Sequence, residues 1–131
     1  RSTIFEHTRD DPWLRDNPPR ITRLASGFGS AETRRDHPLV GALSESAEEV
    51  FHKSPTIAAA PYGCDMSGWV RHANVPTVIY GPGDIGLAHA PNESVSLETT
   101  YKVARTLVKM TERLLEMDPD DLKLTVEETA E

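Results

Sequence analysis

The longest regular spacing of apolar residues in the chain begins just after Ser96. Leu97, Tyr101, Ala104, Leu107, Val108, Leu114 and Leu115 recur at helical intervals and predict a long amphipathic helix over residues 96–117, with Ser96 as its N-cap. A second such pattern follows Pro38, a residue suited to the first turn of a helix. Leu39, Leu43, Ala47, Val50 and Phe51 share one face of a helix predicted over residues 38–53. Between these two lie short apolar runs without helical period. Residues 56–60 read as a buried strand, and residues 75–80, rich in Val, Thr, Ile and Tyr, read as the best strand of the chain. Asp65 is placed to cap a short helix reaching Ala73. At the start, residues 1–16 read as a short helix interrupted near Pro12. Pro18 and Pro19 end it, and residues 20–24 form a plausible short strand.

Alternation of helix and apolar strand is an α/β pattern, and strands that are apolar on both faces suit a sheet covered by helices. The Gly, Ser and charged residues of positions 25–37 read as a linker. Residues 38–117 then form the main unit, and the acidic run 118–131 a tail that frays from residue 124.

Composition narrows the function. The chain has 131 residues, 37% hydrophobic and 27% charged, which is the balance of a globular domain. Its 21 acidic residues outnumber 14 basic ones, giving a net charge of −7. That excludes non-specific nucleic-acid binding, which needs clustered Lys and Arg. A single cysteine, Cys64, cannot form an internal disulfide, so a reducing cytoplasm is the expected compartment. No apolar run is long enough to span a bilayer, and no secretory leader opens the chain. It opens on Arg1, inside a helical pattern, as a fragment of a longer protein would.

Chemistry concentrates after the second strand. Gly81-Pro82-Gly83 forces a turn, and a loop then presents His89 shortly before the last helix. Loops beyond strand C-termini are where α/β proteins place their sites. A neutral imidazole there can bind zinc through one nitrogen while its other N–H is held by a neighbour. By itself, though, a lone loop histidine is ordinarily just solvated.

The run VPTVIYGPGDIGLAHAPNESVSLETTYKVARTLVKMTERLL resembles the C-terminal signature of the acetylornithine deacetylase, succinyl-diaminopimelate desuccinylase and aminoacylase family of metallopeptidases. PYGCDMSGW resembles a Gly-Thr-Asp-like loop of that family, and DPWLRDNPPRI the end of its small lid domain. The likeness covers most of residues 10–117 in the right order. It implies a zinc-peptidase-like catalytic domain, a mixed sheet covered by helices, in residues 38–117. Residues 1–24 would be a remnant of the α+β lid, through which such enzymes commonly dimerise.

The resemblance further implies an amidohydrolase that cleaves an N-acyl or peptide bond of an amino-acid-like substrate with a metal-bound water. Its cofactors would be two divalent metal ions, zinc first and cobalt second. His89 matches the one metal-binding histidine of the C-terminal part. The other histidine, the bridging aspartate and the glutamate base would belong to an N-terminal half outside these residues, so no carboxylate here takes their roles.

Other residues carry competing readings. Pro91 interrupts the helical spacing from His89 to Glu93, so a loop is expected there, and the resemblance implies that Glu93, with Asn92, fixes that loop rather than binds metal. The resemblance implies that Gly63 and Cys64 offer backbone N–H groups to a substrate carboxylate, whereas the residues alone read as an ordinary strand-to-helix turn; both readings stand. Cysteine catalysis lacks a partner base for Cys64. Asp65 reads as a cap rather than a ligand. His7, His37, His52 and His72 are expected to be solvated, and Trp13 and Trp69 to pack. A serine esterase is excluded by the absence of a Gly-x-Ser-x-Gly elbow. The alternative from another class is a non-catalytic interaction module that keeps the metallopeptidase fold.

Overall fold

The structure is a computed structural model that describes residues 6, 8, 10–22 and 27–124. Among the described residues the α-helices with defined bounds are α1 (Pro12–Asp16), α2 (Pro38–Phe51) and α3 (Leu97–Leu115). Each starts where its sequence supplies a cap. Asp11 accepts from the backbone N–H of Leu14 at 2.9 Å, with Pro12 filling the first helical position. Ser96 accepts from Thr99 N–H at 3.3 Å and leads α3.

α2 begins differently. His37, expected to be solvated, is buried at 7% exposure, and its Nδ1 accepts the N–H of Leu39 at 3.1 Å. An imidazole here does the work usually given to Ser, Thr, Asp or Asn, satisfying one of the amides that a helix start leaves without a partner. α2 ends at His52, whose left-handed backbone (φ 54°) closes on the carbonyl of Glu48. Unlike His37, His52 and His72 are exposed; His7 lies outside the described residues.

α2 and α3 pack against each other and form most of the described core. Val40, Ala42, Leu43, Ala47 and Val50 are buried from α2, and Val103 and Thr106 from α3. Burying each Val- or Leu-sized side chain contributes about 1.5–3 kcal/mol. Polar contacts fix the register of the pair. Glu49 takes Lys109 Nζ at 2.8 Å and also pairs with Arg113. Arg113 donates to the fully buried Ser46 Oγ at 3.2 Å and lies 3.4 Å from Glu45. Lys102 Nζ sits 5.9 Å above the ring of Phe51.

The faces differ from those expected. In α2, Val40, Ala42 and Ser46 join the buried side, while Leu39 and Phe51 are half-buried. In α3 the difference is larger. The side turned to α2 holds Val103, Thr106, Met110 and Leu114, whereas Leu97, Tyr101, Val108 and Leu115 are exposed. Periodicity places apolar residues on a helix but does not say which element covers them.

Among the described residues no strand ladder forms. Residues 56–60 are exposed throughout, and residues 75–80 are exposed or half-buried. A strand needs a neighbour to satisfy its backbone. For Thr77 a side chain supplies this: Thr33 Oγ1 donates to the Thr77 carbonyl at 2.7 Å and accepts its N–H at 2.9 Å.

Residues 65–75 form a wide helical turn whose regular part is Gly68–His72. Asp65 enters it through its carbonyl, which accepts from Gly68 and Trp69. This turn anchors Val70, 1% exposed, in the core, while Trp69 faces out at 57% and Trp13 at 68%. After α3, Asp118 accepts from Asp120 N–H at 2.9 Å, and the chain returns to bury Leu124. Residues 125–131 of the expected tail lie outside the described residues. So does Phe5 of the expected lid remnant, in which Ile21 is half-buried. No helix among the described residues is long and apolar enough to cross a membrane.

Candidate functional site

Every residue of the loop from Gly81 to Ser96 is exposed or half-buried, and short contacts hold it. Gly83 takes φ 97°, where a β-carbon would strain the backbone. Asp84 then accepts the N–H of Gly86 at 2.8 Å and starts a single 3-10 turn, Ile85–Leu87. The carbonyl of Leu87 accepts from Ala90 at 3.1 Å, and that of Ala90 accepts from Glu93 at 3.1 Å. His89 lies inside this pair of turns.

His89 has φ 63°, a left-handed conformation that few non-glycine residues adopt and that costs on the order of 1–3 kcal/mol. Among the described residues two other non-glycine residues share that region, His52 at the end of α2 and Asn74 just after the Gly68–His72 turn. His89 likewise comes directly after Ala88, which closes the Ile85–Leu87 turn. Its backbone N–H donates to Glu93 Oε2 at 3.2 Å. The Glu93 carboxylate therefore holds the residue whose ring the loop presents. The His89 side chain is exposed, and no hydrogen bond occupies either ring nitrogen among the described residues.

Among the described residues no hydrogen bond links the other expected site residues to His89. Asn92 is exposed beside Glu93. Gly63 has a packing reason of its own: a β-carbon there would lie 2.3 Å from the ring of Phe28. Cys64 is a half-buried free thiol. No hydrogen bond or ion pair joins Gly63 or Cys64 to the His89 turn among the described residues. Of the expected set, the structure thus brings together His89 and Glu93.

Two buried polar atoms lack partners among the described residues, His37 Nε2 and the Tyr80 hydroxyl. With Nδ1 accepting, His37 carries its proton on Nε2, so this is an orphaned donor whose burial is costly. The role of His37 was legible in one signal, its place directly before a proline at a helix start.

The donor set bears on metal binding. Among the described residues no three His, Cys, Asp or Glu side chains come close enough to share a metal ion. Zinc sites take three or four protein ligands. His89 fits as one ligand, outward-facing and open at both nitrogens, and the rest of a coordination shell must come from elsewhere.

Comparison with known proteins gives this loop its context. The model of peptidase family M20/M25/M40 matches residues 20–113, and the chain belongs to that family, whose hydrolases are generally metal-dependent. A curated relative, N-formyl-4-amino-5-aminomethyl-2-methylpyrimidine deformylase of Bacillus subtilis (strain 168), is 35% identical over 106 residues, covering 75% of this chain and 25% of that protein. The protein of the same name from Halalkalibacterium halodurans is 23% identical over 114 residues, covering 80% of this chain and 26% of its own. The chain thus spans about a quarter of the length of these relatives. No solved structure matches it.

Proposed function

We propose that the chain is the C-terminal part of a two-metal amide hydrolase in which His89 binds one of the metals. The observation that carries this is the turn itself: an exposed imidazole on a strained backbone, its amide held by Glu93, in a chain of the M20 family. Strain of this kind persists where surrounding contacts over-determine it, and such places cluster at functional sites. His89 fits zinc, with cobalt as second choice. Divalent metals would supply a water of lowered pKa and a polarised carbonyl. The residues of this chain do the positioning. Gly83 turns the backbone, Asp84 starts the 3-10 turn, and Glu93 holds the His89 backbone amide.

The remaining ligands and the general base belong, on this reading, to a preceding part of the full-length protein. So do the strands that would pair residues 56–60 and 75–80 into the sheet of an α/β catalytic domain. The substrate class is a small N-acyl amide or peptide. The relatives, named as deformylases, support an acyl group as small as formyl. A cytoplasmic homodimer joined through the lid completes the proposal.

The test is His89→Ala in the full-length protein. Metal content measured by mass spectrometry should fall, and amide hydrolysis should drop on the order of 100-fold or more, above the 10- to 100-fold typical of residues that only support a ligand. Unchanged metal stoichiometry with unchanged turnover would overturn the assignment.

A further inference from the structure

The segment that leads into α2 is tied at three points to a stretch distant in sequence. Phe28 lies on Gly63: a β-carbon built on Gly63 would come within 2.3 Å of Phe28 Cδ2 and 2.8 Å of its Cγ, so the ring fills the place of the missing side chain. Gly29 passes the next turn, where a β-carbon built on it would touch Ser67 Cβ at 3.4 Å and Arg71 Nη1 at 3.7 Å. Thr33 then makes its two hydrogen bonds with the Thr77 backbone, at 2.7 and 2.9 Å. The attachments come in the same order on both sides, so residues 28–33 form a strap laid along residues 63–77.

The Phe28 contact falls on a turn with open donors. Gly63 is exposed and Cys64 half-buried, and neither donates its backbone N–H to a group among the described residues. Successive amides of this kind can hold an anionic or carbonyl oxygen, provided that the turn keeps them aimed. Glycine has the freest backbone of any residue, so Gly63 needs bracing from outside to hold one conformation. Phe28 supplies it. The ring is 65% exposed and gains little from burial, so its contact fixes the turn more than it stabilises the fold.

We infer that Phe28 is a positioning residue for the Gly63–Cys64 turn: its ring braces Gly63 and thereby aims the two open amides at a substrate oxygen. What the amides hold rests on the hydrolase reading above, whereas the brace rests on the geometry of Phe28 and Gly63 alone. Phe28 touches no reacting atom. It acts through the turn, and the remaining strap contacts, at Gly29 and Thr33, keep its backbone in place.

The experiment uses the full-length protein and reads the thiol beside Gly63, Cys64, by iodoacetamide labelling and peptide mass mapping. Phe28→Ala should speed labelling of Cys64 on the order of 10-fold and leave the urea midpoint where it was, because the turn opens locally. Phe28→Tyr keeps the ring and should keep the original rate. Gly63→Ala puts a β-carbon where the ring sits and should also speed labelling; added to Phe28→Ala, where that space is free, it should contribute less than about two-fold. A Cys64 rate unmoved by Phe28→Ala, or effects of the two changes that multiply in full, would overturn the brace. The aim of the amides is read with N-formyl-L-methionine as substrate: Phe28→Ala should raise KM on the order of 10-fold with kcat within about two-fold, and Phe28→Tyr should restore KM. Faster labelling with KM unchanged would overturn the positioning role. An unsubstituted protein that leaves this substrate intact, or His89→Ala that keeps its metal, counts against the hydrolase reading instead, and the Cys64 rates still decide the brace.

Discussion

The α2–α3 pair and the His89 loop are built on opposite terms. Across their shared face the two helices supply each other's partners: apolar side chains are buried between them, the start of α2 is capped by its own neighbour His37, and charges cross from one helix to the other. The loop is held at its backbone by Asp84 and Glu93 but directs its key side chain outward, to nothing in the described chain. One region spends its residues on stability. The other accepts a strained residue in order to present an imidazole. The contrast teaches where changes should be felt as unfolding and where as lost chemistry.

The sharpest way to break the pair is Leu43→Ala. Leu43 is 9% exposed between the helices, and truncating a core leucine should cost about 2–5 kcal/mol, read as a lowered urea midpoint with lost helical signal. A loss below about 0.5 kcal/mol would mean that the helices do not pack as described. His37→Ala comes next. It removes the cap on Leu39 together with the orphaned Nε2 donor, so the two effects oppose each other, and a net loss of about 1 kcal/mol in urea unfolding is expected. A stabilised variant would show that the orphaned donor outweighs the cap.

A smaller effect should appear with pH. The hydrogen bond from Lys109, helped by the Arg113 charge, holds the Glu49 carboxyl below the usual carboxylate range. A carboxylate whose folded pKa is depressed contributes stability above its unfolded pKa and loses it as pH falls through the folded one. The pair should therefore weaken on acidification below the ordinary glutamate range, and Glu49→Gln should flatten that part of the profile. Asp36, lowered by its hydrogen bond with Arg34, and Glu98, lowered by Lys102, add to the same slope, so the flattening is partial. An identical acid profile in Glu49→Gln would remove Glu49 from the interface. The smallest effect sharpens the contrast from the loop side. His89→Ala in the 131-residue chain should move its unfolding by no more than about 0.5 kcal/mol, since its exposed ring has no partner to lose. A large loss would show that the imidazole supports the loop rather than a metal.

Much of the local structure was legible in the sequence. Pro38 marked the start of α2 and Ser96 that of α3, because a missing amide and a short hydroxyl side chain suit helix N-termini whatever surrounds them. Gly81-Pro82-Gly83 announced its turn, and Pro91 correctly argued that His89 and Glu93 do not share a helix. Their link runs instead from the His89 amide to the Glu93 carboxylate. These are properties of a few neighbouring atoms, and spacing along the chain suffices to read them.

The burial of His37, the seating of Phe28 over Gly63 and the facing of α3 were decided only by the tertiary structure. Nothing in the spacing of Leu97, Tyr101, Val108 and Leu115 says that α2 would take the other side of their helix. A hydrophobic period fixes the direction in which a helix is apolar, but burial depends on which element arrives there, and that element is distant in sequence. α2 lies on the Val103 and Thr106 side, where Glu45, Ser46 and Glu49 meet Lys109 and Arg113.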